Sequence, residues 1–237
     1  MKLTSLIRTA LNRFNIDVLR LRHSPEKTFL GLSSTKVDFV LDVGANEGQF
    51  AKKISELFPA AKIYCFEPLK LPFANLNSWA ATQGGRVSCF NIGLGDSVGE
   101  VQMHFHVNHS PSSSLLSSTT HGQQLYPQTK MERIEMIKVN TLDKFYSDYL
   151  GQLSGNVLLK LDVQGFEDRV LRGAKELLTH VSACLLEVCL DPLYENQANF
   201  LDLVHIMDKA GFRYAGNVIQ AYGDDGRVIY IDALFTK

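Results

Sequence analysis

An apolar run beginning at Val40 leads straight into Asp42, Val43, Gly44, Ala45, Asn46, Glu47 and Gly48. Glycines in such a turn let the backbone approach a ligand, and the helix that follows offers free amide donors to negative groups. The turn is not the dinucleotide fingerprint GxGxxG, because Asn46 takes the second glycine's place and Gly48 falls one position early. A compact zwitterion such as an amino-acid moiety is better served there than a pyrophosphate. Glu67 stands 23 residues after Gly44 at the end of a second apolar run. In a doubly wound fold an acidic side chain at that place accepts both hydroxyls of a ribose. Together the two features imply a nucleoside-bearing cofactor.

His104, His106 and His109 form an HxHxxH pattern. On a strand the first two share a face, as zinc or iron ligands do, but no carboxylate accompanies them locally. The pattern reads as the polar face of a hairpin, with no metal, and a neutral imidazole there is suited to act as a base. Asp191, Pro192, Leu193 and Tyr194 come close to the Asp-Pro-Pro-Tyr signature of amino-group methyltransferases acting on nucleic acids. Leu193 replaces the second proline and the segment follows the wrong strand, so it reads as a turn at the edge of a pocket.

The elements that must position these groups alternate. Residues 37–43, 62–67 and 86–92 read as strands, with helices after the first two, the second helix spanning 73–82 and ending at Gly84 and Gly85. This order implies parallel strands with right-handed crossovers. Residues 101–129 then carry no charge apart from histidines, and eight of the eleven residues from 110 to 120 are Ser or Thr. That composition predicts an inserted hairpin and a mobile loop that closes over bound cofactor. Regular order resumes with a strand at 135–139, a helix at 142–149 and a central strand at 157–163. One helix carrying Phe166, Val170, Ala174 and Leu178 follows, then a strand at 183–189, a helix at 200–210 and a closing pair of strands from 213 to 235. The expected architecture is an α/β doubly wound sheet of about seven core strands.

Ahead of this domain, residues 2–21 show apolar residues at helical spacing interleaved with Lys2, Arg8, Arg13 and Arg20, and Arg22 follows. They read as a basic amphipathic helix that packs on the domain, touches a membrane surface or a partner, or serves as a transit segment. Residues 1–35 are thus expected to be helix and linker, and 36–237 the main domain with an insertion at about 99–140.

Composition excludes several classes. The chain has 237 residues, is 45% hydrophobic and 21% charged, and carries a net charge of -1, so it is globular and lacks the basic surface of a nucleic-acid binder. Cys65, Cys89, Cys184 and Cys189 form no CxxC pair and read as small core residues in a reducing compartment. No apolar run is long enough to span a membrane. The default is a soluble cytoplasmic protein.

The glycine turn, the pair Glu67 and Pro68, the segment from Asn91 through Ile92, Gly93, Leu94 and Gly95 to Asp96, the serines Ser112 to Ser114 with Leu115, and the run from Leu159 through Lys160, Asp162, Gln164 and Gly165 to Glu167 occur in an ordered series. The series resembles the FkbM-type family of S-adenosylmethionine-dependent methyltransferases, over residues 37–212. The resemblance implies a Rossmann-like seven-stranded methyltransferase sheet, mostly parallel with an antiparallel last strand. It also implies S-adenosyl-L-methionine as cofactor and O-methylation of a hydroxyl on a sugar, glycan or natural product. Carried over by position, Asp42, Gly44, Ala45, Asn46 and Gly48 surround the methionine part. Glu67 and Pro68 hold the ribose, Ile92 and Gly93 face the adenine, and Asp162 sits nearest the methyl group. Positioning supplies on the order of 7 to 11 kcal/mol of such a displacement in well-oriented cases. The acceptor's proton can go to Asp162, Lys160 or Glu187. The competing readings are an NAD-dependent oxidoreductase and a non-catalytic accessory subunit that binds cofactor.

Overall fold

The structure is a computed structural model that describes residues 3–14, 16, 20–151 and 153–237. Its centre is a seven-stranded sheet of β1 (Phe39–Val43), β2 (Lys62–Phe66), β3 (Val87–Phe90), β7 (Val157–Leu161), β8 (Val181–Cys189), β9 (Arg213–Tyr222) and β10 (Val228–Thr236). The spatial order is β3-β2-β1-β7-β8-β10-β9. The pairings among β3, β2, β1, β7 and β8 are all parallel, and β10 runs antiparallel to both of its neighbours. The central strand β7 is buried at all five positions, as a strand covered on both faces must be.

Helices cover both faces. Leu41, Val43 and Leu159 pack with residues of α6 (Leu142–Phe145), α7 (Glu167–Arg172), α8 (Leu177–His180) and α9 (Phe200–Lys209). On the opposite face Val40 and Leu158 pack with residues of α3 (Gln49–Leu57) and α4 (Lys70–Ala80). A short helix α2 (Pro25–Thr28) and the turn that follows rest against β9 and add Phe29, 3% exposed, to that second core. The segment read as linker therefore contributes to the core.

A second sheet of β4 (Gly93–Leu94), β6 (Glu132–Asn140) and β5 (Gly99–His106) stands beside the first. The strand expected at 135–139 belongs here: it pairs along its whole length with β5, whose Met103 and Phe105 join Ile137 and Val139 in a separate small core. The main sheet reaches seven strands through both members of the closing pair instead. The single helix expected after residue 165 is two, α7 and α8, because the chain breaks at Gly173. A Cβ there would stand 2.0 Å from the Gly95 carbonyl oxygen, and Asp143 accepts the free amides of Glu176 and Leu177 to start the new helix. A six-residue helix, α5 (Thr120–Leu125), lies inside the insertion.

The N-terminal helix α1 spans Leu3–Asn12, shorter than its sequence pattern. The chain turns at Arg13 and Phe14, with the amides of Phe14 and Ile16 both donating to the Leu11 carbonyl. Residues 15 and 17–19, also expected to be helical, lie outside the described residues. Ile7 and Phe14 of its apolar stripe are exposed.

Because β1, β2, β7 and β8 are parallel, their C-terminal ends share one rim, which sets the glycine turn, Glu67 and Asp162 side by side. The exits of β1 and β7 are so close that a Cβ on Gly44, at φ +77°, would stand 1.9 Å from the Asp162 carbonyl oxygen. Gly84 also has positive φ but has open space around it. Gly44→Ala is expected to lose about 2 to 4 kcal/mol, combining left-handed strain with overpacking. Gly84→Ala should lose only about 1 to 2 kcal/mol, from strain alone. Urea unfolding of the two variants checks this, and equal losses would mean that the close strand exits are not what demands a glycine at Gly44.

Candidate active site

Glu67 leaves the end of β2 and is 4% exposed. Its Oε1 accepts from the Leu69 amide at 2.8 Å and its Oε2 from the Asn46 amide at 2.9 Å. Asn46 can present its amide this way because it takes the left-handed conformation, φ +46°. Burial pushes the Glu67 carboxyl up to about 7, against the pull of those two amides. Each oxygen has committed one acceptor position to the backbone, and Glu67 lines a cavity at the rim of the sheet. Gly44, Asn46, Pro68, Ile92, Gly93, Asp162 and Phe166 also line it.

Lys160 lies next to Asp42 in the β1–β7 register and is 7% exposed. Its ammonium stands 3.2 Å from each of Asp42 Oδ1, Asp162 Oδ2 and the Gly44 carbonyl oxygen. The Phe50 ring is 5.5 Å away. Burial works against this charge, yet Asp162 and Asp42 outweigh it and hold the lysine above its ordinary range. Lys160 therefore stays protonated and is unsuited to receive a proton. Asp42 is fully buried, and burial pushes its carboxyl upward.

Past β7 the chain turns through Gln164 at φ +56°. Glu167, 3% exposed, holds that turn by accepting from the amides of Val163 and Gly165. The Gln164 Nε2 donates to Asp162 Oδ1 at 2.7 Å and to Glu187 Oε1, while its Oε1 accepts from the Tyr194 hydroxyl at 2.6 Å. Burial and the nearby Asp162 hold Glu187 well above the usual carboxylate range, and its contact with Nε2 orients Gln164. The one Tyr194 hydroxyl proton is shared between Gln164 Oε1 and the Ser112 carbonyl at 3.0 Å, and Ser114 Oγ donates to the Gln164 carbonyl at 2.7 Å. The Asn46 amide group reaches Ser110 Oγ at 3.1 Å. The serine-rich loop, expected to be mobile, is thus seated on the site from three directions, and Ser114 is fully buried.

Two further cavities open at this point. One lies between the loop and Gln164, Glu187 and Tyr194; another lies between the glycine turn, Phe50, Lys53 and Asp232. Asp162 lines all three.

Of the residues singled out in the sequence, Gly44, Asn46, Glu67, Pro68, Ile92, Gly93 and Asp162 share one cavity. Asp42, Ala45 and Gly48 do not line it. Asp42 lies beneath Lys160, Ala45 faces the third cavity, and Gly48 at φ +88° packs against Leu76. His104 and His106 turn to Ser117 and Ser118. His109 turns to Ser112 and lines the second cavity. Among the described residues no group of three His, Cys, Asp or Glu is arranged to hold a metal ion. Sequence reasoning missed the bridging parts of Gln164 and Tyr194. Gln164 lies inside a recognised motif, but the contact with Tyr194 spans 30 residues, and no local pattern announces it.

A family model described as the methyltransferase FkbM domain matches residues 42–214. The chain belongs to that family. It is 27% identical over 164 residues to the 2-O-methyltransferase NoeI of Sinorhizobium fredii, covering 67% of this chain and 66% of that one. It is 26% identical to Methyltransferase 1 of Beauveria bassiana, covering 75% and 73%. The chain thus spans roughly two thirds of the length of these relatives. Among solved structures, magnesium protoporphyrin IX methyltransferase from Synechocystis with bound SAM is 10% identical, with a TM-score of 0.45 over 99% of this chain and 97% of that one. The cofactor of this FkbM domain is S-adenosylmethionine. The residues present fit it: Glu67 keeps an acceptor position on each oxygen for a diol, and the apolar side chains of Ile92, Leu94 and Phe166 line the same cavity.

The lysine network of the FkbM domain makes a stability prediction. Lys160→Met leaves Asp42 buried without a counter-charge and is expected to cost about 3 to 5 kcal/mol. The double variant Asp42→Asn with Lys160→Met should recover most of that loss in urea unfolding. A double variant as unstable as the single would refute the pairing.

Proposed function

We propose that this chain is an O-methyltransferase, transferring a methyl group from S-adenosylmethionine to a hydroxyl of a sugar, glycan or natural-product-like small molecule. The observation that carries this reading is the half-buried carboxylate of Asp162, which lines three cavities at once. The name of the relative NoeI, a 2-O-methyltransferase, supports oxygen as the acceptor atom. On this reading the methyltransferase domain spans 36–237, with an insertion at 99–140 that carries the acceptor side of the site.

Glu67 and Pro68 would hold the ribose, with Ile92 and Gly93 beside the base. Gly44, Asn46 and the start of α3 would hold the amino-acid end, where Lys53 and Asp232 offer charges of both signs to a zwitterion. When bound, the cofactor supplies a methyl group on an already activated sulfonium, so the protein's part is mainly orientation. Asp162 accepts the proton of the acceptor hydroxyl. Lys160 fixes one Asp162 oxygen and Gln164 the other, which aims the carboxylate.

Calorimetric titration tests this. S-adenosylmethionine and S-adenosylhomocysteine should bind wild type, bind Glu67→Ala at least about tenfold more weakly through loss of a hydrogen-bonded charge, and bind in preference to NAD. Preference for NAD would overturn the reading. The pH dependence has a defined sign. Free Glu67 takes up a proton as pH falls through about 7, and a diol-accepting carboxylate must lose it on binding. Affinity for S-adenosylhomocysteine should therefore fall by up to about tenfold per pH unit below about 7, and Glu67→Gln should remove that slope.

A further inference from the structure

The cavity beneath the serine-rich loop has walls of an unusual kind. Tyr126 follows α5, Tyr194 follows β8 and Tyr230 lies on β10, and all three line one space. The Tyr194 hydroxyl is committed to Ser112 and Gln164. Among the described residues the hydroxyls of Tyr126 and Tyr230 have no hydrogen-bond partner. Burial raises both above the ordinary phenol range, Tyr230 to about 12, so each remains a donor.

The carboxylates at this cavity already have partners. Asp162 meets Lys160 at 3.2 Å through Oδ2 and accepts from Gln164 through Oδ1, and Glu187 Oε1 also accepts from Gln164. Among the described residues no lysine or arginine lines the space, so an anionic ligand finds no counter-charge and a cationic one must compete with Lys160 and Gln164 for the carboxylates. What remains are aromatic faces with neutral donors and acceptors distributed around them. A flat phenol would satisfy one or two of these groups and leave the rest unpaired, whereas a ring bearing several hydroxyls would satisfy them together.

We propose that this cavity holds the methyl acceptor, that the acceptor is an uncharged pyranose packed against the tyrosines, and that one of its hydroxyls meets Asp162. The proposal rests on the methyltransferase reading and narrows it to one ligand class and one set of walls. Tyr126 and Tyr230 are then specificity-determining residues.

The test uses the full chain loaded with S-adenosylhomocysteine, whose binding is read separately by calorimetry. Saturation-transfer NMR is recorded with methyl hexopyranosides as probes, and with catechol and an alkylamine as competitors of other chemistry. Transfer to pyranoside ring protons is expected. Replacing both Tyr126→Phe and Tyr230→Phe, which keeps the rings, should weaken pyranoside binding about tenfold through two lost hydrogen bonds. Affinity for S-adenosylhomocysteine should stay within about twofold, since neither side chain lines the cavity that holds Glu67. Pyranosides that give no transfer while catechol or the amine does, or transfer that the double variant leaves unchanged, would overturn the proposal with the cofactor reading intact. Failure of S-adenosylhomocysteine to bind would overturn both.

Discussion

The buried ammonium of Lys160 is the point to which the rim of the sheet is tied. It stands equally far from Asp42, from Asp162 and from the carbonyl of Gly44. Those three oxygens belong to the last residues of β1, the turn that follows it, and the exit of β7. Removing the Asp42 carboxylate and the Lys160 ammonium from water costs several kcal/mol per ion before their mutual attraction is counted. The arrangement is therefore a poor way to stabilise a fold and a good way to fix geometry. It sets the turn beside one cavity and the carboxylate shared by three at a constant separation, and orientation is what a displacement on an activated methyl group requires.

The same rim explains why the chain departs from simple alternation. After β3 the backbone does not cross back to the main sheet. Gly93 and Leu94 pair with Val139 and Asn140 instead, which starts the second sheet at the edge of the Glu67 cavity. That sheet carries the serine-rich loop out from β5 and across the strand exits, where Ser114 bonds the backbone of Gln164. The insertion is thus a wall of the site built on its own small core. Gln164 serves both sides: its carbonyl holds the loop while its side chain aims Asp162.

Much of this was legible in the sequence. The order of strands and helices, the Gly44 turn and Glu67 follow from local patterns, because parallel strands covered on both faces have a distinct composition and their exits share an edge, while Asp162 comes from the family resemblance. The failures have physical causes. The strand at Glu132–Asn140 is as β-prone as its neighbours, and nothing local tells which of two sheets it joins. The break at Gly173 depends on the approach of Gly95, 78 positions earlier in the chain. Lys160, offered as a base, is held protonated by two acids, one of them on a neighbouring strand. Phe29 reads as part of a linker because short helical turns lack the length for periodicity to show.

The absence of charge across residues 101–129 acquires a reason from what the loop covers. Asp42, Lys160, Asp162, Glu187 and Glu167 lie beneath or beside it in a balance that one further charge would upset, since fields in such a poorly solvated region are strong. A lysine in the loop would draw Asp162 away from Lys160, and a carboxylate would raise the acids further. Serine and threonine supply directional bonds at no such cost, as His106 with Ser118 and Thr119 with the Pro192 carbonyl illustrate. Charge neutrality, which on sequence grounds reads as loop composition, is on this view a requirement of the site: the wall that encloses the acceptor must add hydrogen bonds without adding field.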